Sequence, residues 1–421
     1  MSEQSNADII AIVGSGLAGV SAAGALREAG FTGRVLLIGE EPELPYDRPP
    51  LSKAALVSEE YAALENAGPP GGTLPLPEHL ALRTQSWFDT HNIELRLGQH
   101  VTGIDTQAQT LAIAGQNSLH YHRLILAPGA RARRLPAVEA GPTPHLYLRT
   151  LRDAAQLRGH LQLGKRVVLL GGGVIGMEVA ASARQRGCDV TVVELAPRIM
   201  ARALIPAVSA HVAAYHEHKG VKLRLGAEVT GPAINGLALR DGAVVPADLI
   251  VVGIGVVPNV ELAEAAGLQC ADGIEVDEFG ATSAANVFAA GDAVHYPDAF
   301  YGRSMRSENW MHAQNQAVVA AKNALGANEP YRQTPFMWSD QYDLKIQITG
   351  RCDGEQDVLR GDVAKNKFMY LHLAGGKVVG ASGINEARDI KYAQRLIEAR
   401  VNVDPAQLAD PAFNLKKAAG G

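Results

Sequence analysis

The chain has 421 residues, of which 47% are hydrophobic and 20% are charged, which is enough material for roughly two to four globular domains. Its formal net charge of -5 argues against a general nucleic-acid binder. Its three cysteines form no C-x-x-C pair, which excludes a disulfide framework, a cysteine zinc cluster and a dithiol redox centre. This cysteine usage fits a reducing compartment.

The beginning of the chain and its longest apolar run both bear on the compartment. Residues 1–8 are polar and acidic, which is not the composition of a signal or transit peptide. The apolar run at 167–183 is interrupted by three consecutive glycines and by Glu178. Since a spanning helix needs about 20 mostly apolar residues, we expect a cytoplasmic protein without a membrane segment.

Two segments of the chain repeat one pattern. An apolar, largely β-branched run at residues 9–13 leads through a glycine-rich turn and an alanine-rich stretch to a second apolar run at 34–38. The same order recurs about 157 residues later, with apolar runs at 166–170 and 189–193. Continuous apolar runs are typical of strands buried on both faces of a parallel sheet. The pattern therefore predicts two βαβ units, hence two dinucleotide-binding domains.

Glycine and proline mark the connections between these units. Residues 58–78 are rich in proline, glycine and alanine, which predicts a surface loop. Apolar runs at 124–126 and 249–252 each end in a glycine turn and are candidates for chain crossings between domains. A further strand is predicted at 287–289, followed by the acidic turn Gly291-Asp292.

The character of the chain changes near residue 331. Polar and apolar residues then alternate, as at 345–349 and 367–371, which is typical of an antiparallel sheet. Helices are predicted near 390–398 and 405–409. These elements predict a third, smaller domain.

The first glycine pattern is Gly14-x-Gly16-x-x-Gly19, placed between a predicted strand and a predicted helix. Gly14 allows the tight turn, Gly16 lets the backbone approach a pyrophosphate, and Gly19 lets helix and strand pack closely. The helix N-terminus adds free N–H donors and a partial positive charge. Glu40 follows at the end of the next strand, where a carboxylate accepts hydrogen bonds from a ribose diol.

The second pattern, Gly171-x-Gly173-x-x-Gly176, repeats this arrangement and is closed by Glu194. One such pattern can serve plain packing. Two copies, each with strand, helix, second strand and terminal acid, indicate two bound dinucleotides.

The second acidic residue bears on the choice of coenzyme. Glu194 would repel a 2′-phosphate and suits a free 2′-hydroxyl, which favours NADH over NADPH. Arg198 and Arg202 follow closely and could favour NADPH instead.

Three further motifs carry a resemblance to a known family. Residues 45–53 read Pro-Tyr-Asp-Arg-Pro-Pro-Leu-Ser-Lys, residues 308–316 read Glu-Asn-Trp-Met-His-Ala-Gln-Asn-Gln, and residues 338–341 read Trp-Ser-Asp-Gln. With the paired glycine patterns, the turn at 290–292 and the missing dithiol, the chain resembles the oxygenase-coupled NADH:ferredoxin reductases from about residue 8 to 415. Pro128 departs from the family's usual threonine, which affects local hydrogen bonding at the crossover.

The resemblance implies an α/β fold with two Rossmann-like, glutathione-reductase-like dinucleotide-binding domains and a C-terminal α+β domain. The expected boundaries are 1–121 with 253–327 for a discontinuous FAD-binding domain, 122–252 for the NAD-binding domain and 328–421 for the C-terminal domain. The resemblance also implies FAD in the first glycine cradle, with NADH in the second. Electrons would pass singly to a [2Fe–2S] ferredoxin that serves a ring-hydroxylating dioxygenase or a cytochrome P450 in aromatic hydrocarbon catabolism. No metal site, nucleic acid or membrane is expected, and the protein is expected to be a monomer or homodimer.

The glycine patterns and the resemblance together predict one set of cofactor-binding residues. These are Gly14, Gly16, Leu17, Ala18, Gly19, Glu40, Glu41, Arg48, Lys53, Val101, Ala127, Arg131, Asp292, Trp310, Gly171, Gly173, Val174, Ile175, Gly176, Glu194, Arg202 and Gly255.

Three residues are expected to serve catalysis. The resemblance implies that Lys53 is a fixed cation near the flavin ring, that Glu178 faces Lys53 across the domain interface, and that Trp310 lies beside the flavin. The alternatives are a surface lysine, a solvated helix residue and an ordinary core tryptophan. Glu178 is expected in the first turn of its helix, where a carboxylate favours the dipole.

Several other residues admit two interpretations. Asp292 either accepts hydrogen bonds from the ribityl hydroxyls or caps a helix starting near Ser304, and Trp338 either lies near the flavin or packs. His211, His216 and His218 are not spaced as i, i+4 ligands and are expected on a solvated helix face. The cysteines are expected to pack.

Other acceptors and partners remain open at this stage. Rubredoxin, monodehydroascorbate and oxygen are alternative acceptors, and an apoptosis-inducing-factor-like signalling flavoprotein is a different class that the acidic balance disfavours. Because ferredoxins are usually acidic, a basic rim would steer them, and Arg303 and Arg306 are the candidates. The alternative is a solvated loop with ordinary charges.

Overall fold

The computed structural model describes residues 8–66 and 72–420, which divide into two compact units. The first unit comprises Met1–Asp47, Gly68–Arg131 and Val256–Gln333, and the second comprises Arg48–Ala67, Ala132–Gly255 and Thr334–Gly421. Residues 67–71 of the predicted surface loop lie outside the described residues.

The first part of the chain builds a parallel sheet and a small antiparallel one. Its strands are β1 (Ile9–Val13), β2 (Arg34–Ile38), β3 (Ile93–Arg96), β4 (Val101–Asp105), β5 (Thr110–Ile113), β6 (Leu119–His120), β7 (Arg123–Leu126) and β8 (Ala130–Ala132). Its helices are α1 (Leu17–Glu28), α2 (Ala54–Val57) and α3 (Gln85–Thr90), with 3-10 turns at Pro49–Ser52, Glu59–Asn66 and Glu78–Leu80. The strands predicted at 9–13, 34–38 and 124–126 are confirmed and lie side by side in the order β7-β1-β2-β3.

The second βαβ unit follows in the same way. Its elements are α4 (Pro136–Glu139), β9 (His145–Tyr147), α5 (Leu151–His160), β10 (Arg166–Leu170), α6 (Val174–Gln185), β11 (Asp189–Glu194), α7 (Pro206–His218), β12 (Lys222–Leu225), β13 (Val229–Ala233), β14 (Gly236–Leu239), β15 (Val244–Pro246) and β16 (Leu249–Val252). The order β12-β11-β10-β16-β9 is parallel throughout, which confirms the predicted strands. A three-stranded antiparallel sheet, β13-β14-β15, shares an apolar core with the parallel sheet.

The chain then completes the first sheet. This segment holds β17 (Val256–Pro258), α8 (Glu261–Ala265), β18 (Cys270–Ala271), β19 (Gly273–Glu275), β20 (Val287–Ala289), β21 (Val294–Asp298), β22 (Arg303–Arg306) and α9 (Trp310–Ala324). The predicted strand β20 is confirmed and pairs in parallel with β7, while alanines of α9 pack with those of α1 in one core. The helix considered near Ser304 is not formed, because residues 303–306 pair with β21 and the next helix begins at Trp310, capped by Asn309.

The last segment forms the predicted antiparallel sheet. It contains β23 (Phe336–Gln341), β24 (Leu344–Gly350), β25 (Gln356–Asp362), β26 (Lys367–Ala374), β27 (Lys377–Ile384), α10 (Ala387–Ala399), α11 (Pro405–Ala409) and α12 (Leu415–Ala418), with a 3-10 turn at Val363–Lys365. The strand order is β23-β24-β27-β26-β25. Helix α10 buries Ile390, Ala393, Leu396 and Ile397 on one face, as its apolar spacing requires.

The prediction of a surface loop over residues 58–78 is wrong for its first part. Residues Glu59–Asn66 form a 3-10 helix in which Tyr61 and Leu64 are buried. The fully buried guanidinium of Arg158 donates to the Ser58 carbonyl at 2.8 Å and to Glu65 Oε1 at 2.8 Å. This pair of contacts anchors the segment to α5, so its backbone is not a free loop.

The prediction of a solvated histidine face on α7 is also wrong for His216. The helix itself is confirmed, but His216 is fully buried and its Nε2 hydrogen-bonds to Gln341 Oε1 at 2.8 Å. His211 bonds to Asn366 Oδ1 at 2.7 Å, and only His218 is exposed. The face packs on the antiparallel sheet, which the helix sequence alone did not reveal.

Arg360 anchors the end of the chain, and its removal tests that role. The buried guanidinium donates to Asp389 Oδ2 at 3.0 Å and to the carbonyls of residues 408, 410, 411 and 413. Because Arg360→Met removes the buried cation from Asp389 and its donors from four carbonyls, we expect urea unfolding to show a loss of about 3–5 kcal/mol. The matched control Arg388→Met removes a contact of the same Asp389 from a side chain that is 82% exposed, and should change stability by less than about 0.5 kcal/mol. Equal losses in both variants would contradict the anchoring role.

Candidate functional site

The first glycine cradle has the backbone geometry that its sequence predicts. Gly14 has a φ of +111°, and a Cβ on it would lie 2.0 Å from the Ala127 carbonyl oxygen. A Cβ on Gly19 would lie 1.9 Å from the Gly14 carbonyl oxygen. Only glycine fits at these two positions, so β1, β7 and the start of α1 approach each other as closely as their backbones allow.

The middle glycine of this cradle has the opposite environment. Gly16 is the N-cap of α1 with an ordinary φ of -74°, and apart from its own two chain neighbours no described residue lies within 4 Å of the place a Cβ would take. No side chain caps this helix end. The first N–H groups of α1 therefore face open space, as an arriving pyrophosphate requires, and the residues present fit a dinucleotide. Leu17 and the buried Ala18 begin the helix.

The second cradle repeats this geometry. Gly171 has a φ of +102° and packs against the Gly253 carbonyl oxygen, which would lie 2.4 Å from an added Cβ. A Cβ on Gly176 would lie 2.0 Å from the Gly171 carbonyl oxygen. Gly173 caps α6 and again faces open space. Val174 and Ile175 open the helix, and Ile175 is 47% exposed.

The two acidic residues at the strand ends differ in how firmly they are held. Glu40 is exposed, with His100 Nδ1 3.4 Å away. Glu194 is half-buried and accepts hydrogen bonds from the Gly172 N–H at 2.5 Å and the Ala196 N–H at 2.7 Å. Its carboxylate is thus fixed beside the second glycine turn.

The arginines near Glu194 are not equally available to a ligand. Arg198 donates to the carbonyls of Leu204 and Ala201, at 2.6 and 2.8 Å, so its guanidinium is occupied within its own loop. Arg202 is exposed.

The turn after β20 lies at the first cradle. Gly291 has a φ of +86°, and a Cβ on it would be 3.0 Å from Ala18 Cβ and 3.9 Å from Ala313 Cβ. The buried Gln316 accepts the Gly291 N–H at 2.9 Å. The structure thereby brings Asp292 to the starts of both α1 and α9.

Trp310 is the first residue of α9. Its Nε1 donates to Asp47 Oδ1 at 2.7 Å, and its ring is half-buried. This hydrogen bond gives the indole a fixed orientation within the first unit.

Four other residues of the first unit belong to the predicted cofactor-binding set. Val101 and Ala127 are buried, and Glu41 accepts a hydrogen bond from Tyr46. Arg131 donates to Asn259 Oδ1 at 2.8 Å and to Glu261 Oε1 at 2.5 Å.

Arg48, Lys53 and Gly255 belong to the second unit rather than to the first. Arg48 donates to the Arg149 carbonyl at 2.6 Å, and Gly255 has a φ of +104°.

Lys53 and Glu178 form an ion pair. Lys53 Nζ lies 2.7 Å from Glu178 Oε2 and also donates to the Pro49 carbonyl at 3.0 Å. Glu178 is 1% exposed and Lys53 is 19% exposed, so neither the solvated helix residue nor the surface lysine is correct. Both residues of the pair belong to the second compact unit.

The expected position of Glu178 in its helix is wrong as well. Helix α6 begins at Val174, so Glu178 is its fifth residue and lies beyond the first turn. Hydrogen bonds rather than the helix dipole therefore stabilise its charge.

Two serines complete the surroundings of Glu178, and the sequence analysis gave neither of them a role. Ser52 Oγ donates to Glu178 Oε2 at 2.5 Å, and Ser339 Oγ donates to Oε1 at 2.6 Å. Both belong to the motifs quoted for the resemblance, beside Lys53 and Trp338 respectively. Trp338 is half-buried and stacks on Phe336.

Arg306 does not provide the exposed cation that a steering surface needs. Its side chain is 10% exposed and pairs with Glu308 and, at 3.3 Å, with Asp272. Arg303 is exposed on β22.

Metal and thiol chemistry find little support in the described part of the chain. Residues 8–66 and 72–420 contain no cluster of histidine, cysteine and acidic residues that could hold a metal ion. Burial raises the pKa of the Cys352 thiol to about 11 and raises that of Cys188, which suits packing residues. No helix in these ranges is long and apolar enough to cross a membrane.

Comparison with known families decides the relationship. Residues 8–317 match the pyridine nucleotide-disulphide oxidoreductases, and residues 336–419 match the reductase C-terminal domain. The chain belongs to the pyridine nucleotide-disulphide oxidoreductase family. It is therefore an oxidoreductase, and membership implies the use of a flavin and of NAD(H). The predicted fold class is confirmed.

Several relatives match over nearly their whole length. The ferredoxin–NAD(+) reductase component of the anthranilate 1,2-dioxygenase system of Burkholderia cepacia is 42% identical, with 98% of this chain and 99% of the relative covered. The ferredoxin reductase for the CYP199A2 system from Rhodopseudomonas palustris has a TM-score of 0.90 at 39% identity, covering 98% of this chain and 100% of that one. The covalent putidaredoxin reductase–putidaredoxin complex matches with a TM-score of 0.88 at 34% identity, covering 98% of each chain.

One added methyl group is expected to cost very different amounts of stability at the third and at the middle glycine of a cradle. Gly19→Ala places Cβ against a backbone oxygen, so we expect the flavin-free protein to lose about 3 kcal/mol in urea unfolding. Gly16→Ala points into open space and should cost less than about 1 kcal/mol in the same assay. The account of the cradle fails if the two variants are equally destabilised.

Proposed function

We propose that the chain is an FAD-dependent NADH:ferredoxin reductase that supplies a ring-hydroxylating dioxygenase or a cytochrome P450 through a [2Fe–2S] ferredoxin. The observation that carries this proposal is the pair of glycine cradles with the same geometry, each open at its middle glycine. Relatives that match over nearly the whole chain are ferredoxin reductases of dioxygenase and P450 systems, which supports the choice of acceptor.

FAD is assigned to the first cradle. Gly16 and the N-terminus of α1 would hold its pyrophosphate, Glu40 its adenosine ribose and Asp292 its ribityl chain, with the other residues of the predicted set around them. When bound, FAD accepts hydride from NADH and releases electrons one at a time. In this assignment Lys53, held by Glu178, would supply a positive charge to the reduced ring, and Trp310, oriented by Asp47, would be the aromatic residue beside the flavin.

NADH is assigned to the second cradle. Gly173 and the N-terminus of α6 would hold its pyrophosphate, and Glu194 would accept hydrogen bonds from the ribose hydroxyls. The two backbone N–H groups that hold Glu194 fix its carboxylate beside the glycine turn, and its charge would there oppose a 2′-phosphate. Arg198 is occupied within its loop, which supports the preference for NADH.

The domain boundaries, compartment and assembly are part of the proposal. Residues 1–121 and 253–327 are assigned to the FAD-binding domain, 122–252 to the NAD-binding domain and 328–421 to the C-terminal domain. We propose a cytoplasmic monomer or homodimer. Arg303 is the remaining candidate for a cation that attracts an acidic ferredoxin.

The proposal is tested by mixing the FAD-loaded protein with NADH in a stopped-flow instrument. The flavin absorbance should bleach with formation of a long-wavelength charge-transfer band. Cytochrome c reduction should then depend on an added [2Fe–2S] ferredoxin, identified from a panel of purified ferredoxins. No bleaching would reject NADH as donor. Bleaching without ferredoxin-dependent turnover across the panel would reject the acceptor.

Coenzyme preference tests the role of Glu194. Glu194→Gln keeps the side-chain shape but removes the charge that repels a 2′-phosphate, so the ratio of kcat/KM for NADH over NADPH should fall at least about tenfold. The comparison variant is Arg202→Gln, which should leave that ratio nearly unchanged. If the unaltered protein prefers NADPH and Arg202→Gln abolishes this preference, Arg202 rather than Glu194 selects the coenzyme.

A further inference from the structure

A series of buried, hydrogen-bonded polar side chains leads from α7 through β23 to Glu178, and all of its members belong to the second unit. His216 Nε2 bonds to Gln341 Oε1 at 2.8 Å, and Gln341 Nε2 donates to Ser339 Oγ at 3.0 Å. Ser339 Oγ donates to Glu178 Oε1 at 2.6 Å. All four side chains are at most 1% exposed. Water therefore does not compete for these hydrogen bonds.

Each hydrogen bond in this series has an assignable donor and acceptor. Because the Gln341 amide nitrogen donates to Ser339, the serine keeps its own proton for Glu178. Gln341 Oε1 can only accept, so the His216 nitrogen facing it carries the proton. Burial lowers the pKa of His216 to about 4, which keeps its ring neutral near pH 7. The hydrogen bonds from Gln341 to Ser339 and from Ser339 to Glu178 are thus both directed toward the carboxylate, while Gln341 Nε2 also donates to Met200 Sδ at 3.4 Å.

The other carboxylate oxygen is held from the lysine side. Glu178 Oε2 accepts from Lys53 Nζ and Ser52 Oγ. Ser182, one turn after Glu178 in α6, donates to the Ser52 carbonyl at 2.7 Å and fixes the backbone next to Lys53. Glu178 therefore makes three side-chain hydrogen bonds, of which only one comes from a cation.

Burial makes the position of the carboxylate depend on all of these donors. A buried ion pair is tolerated when its remaining lone pairs are satisfied by hydrogen bonds. Ser339 is the donor at Oε1, and Gln341 fixes the rotation of the Ser339 hydroxyl. If that donor is lost, the carboxylate can rotate or shift, and the ammonium of Lys53 follows it.

We propose that Ser339 and Gln341, on the first strand of the C-terminal sheet, are positioning residues that set the location of the Lys53 charge through Glu178. This inference rests on the proposed function, in which Lys53 stabilises the reduced flavin. The C-terminal sheet would then contribute to the stability of the reduced flavin through Glu178 and Lys53.

The direct test compares two buried serines of the same sheet. Ser339→Ala removes the donor to Glu178, whereas the control Ser382→Ala removes an equally buried hydroxyl whose hydrogen bond goes to His372. At saturating NADH, flavin bleaching should slow about tenfold in Ser339→Ala, with the KM for NADH unchanged and the flavin midpoint potential shifted to a lower value. Ser382→Ala should keep the rate and potential of the unaltered protein.

If Ser339→Ala folds poorly, two further variants can test the same hydrogen bonds. Ser339→Thr retains the hydroxyl and should bleach within about twofold of the unaltered rate. Gln341→Met keeps the side-chain size but removes the amide, and should fall between the rates of Ser339→Thr and Ser339→Ala.

The outcomes separate this inference from the proposed function. If NADH does not bleach the flavin of the unaltered protein, the proposed function fails. If it does, but Ser339→Ala matches Ser382→Ala in rate and potential, the positioning role is overturned. Loss of stability in both serine variants with a normal potential would likewise assign Ser339 a purely structural role.

Discussion

The close approach of backbones at the two glycine turns is the constraint on which the structure depends. In each cradle, the first glycine meets a carbonyl of the neighbouring strand and the third meets the carbonyl of the first. Side chains at these positions would push the helix away from the sheet. The middle glycine is different, since open space surrounds it and its absent side chain leaves the helix N-terminus accessible. The same three residues therefore build the fold and leave room for a ligand.

This constraint explains why the two dinucleotide-binding units could be predicted from the sequence. The glycine requirement is local, and the strands on either side are short apolar runs whose pairing follows from βαβ topology. The antiparallel C-terminal sheet was equally accessible, because alternation of polar and apolar residues shows directly in the sequence. The 3-10 helix at Glu59–Asn66 was missed because the glycines and prolines around it outweighed its two buried side chains.

The surroundings of Glu178 could be predicted only in part. Its pairing with Lys53 was expected from the resemblance, but Ser52 and Ser339 lie 126 and 161 residues away in sequence. No periodicity or spacing connects such residues. The same holds for His216, whose helix has no marked apolar face and whose partner Gln341 is 125 residues away. Polar networks of this kind depend on how elements distant in sequence pack together, so they appear only in the structure.

The Lys53–Glu178 pair and Arg306, two sets of charges for which the sequence suggested roles, differ in their surroundings. The Lys53–Glu178 pair is shielded from water, so its electrostatic effect is little screened by salt. Arg306, with two acidic neighbours, carries little net charge to its surroundings, although its position beside the Trp310 motif suggested a partner surface. The nearness of Arg306 to the Trp310 motif in sequence therefore did not predict whether its charge is exposed to a partner.

The central claim is that each cradle holds its own dinucleotide, and substituting alanine for each middle glycine in turn tests it most directly. Flavin content and NADH affinity are measured on Gly16→Ala and Gly173→Ala. The account predicts that Gly16→Ala loses flavin, whereas Gly173→Ala keeps a full complement of flavin and binds NADH at least about tenfold more weakly. Equal flavin content in both variants, with unchanged NADH affinity in Gly173→Ala, would contradict it.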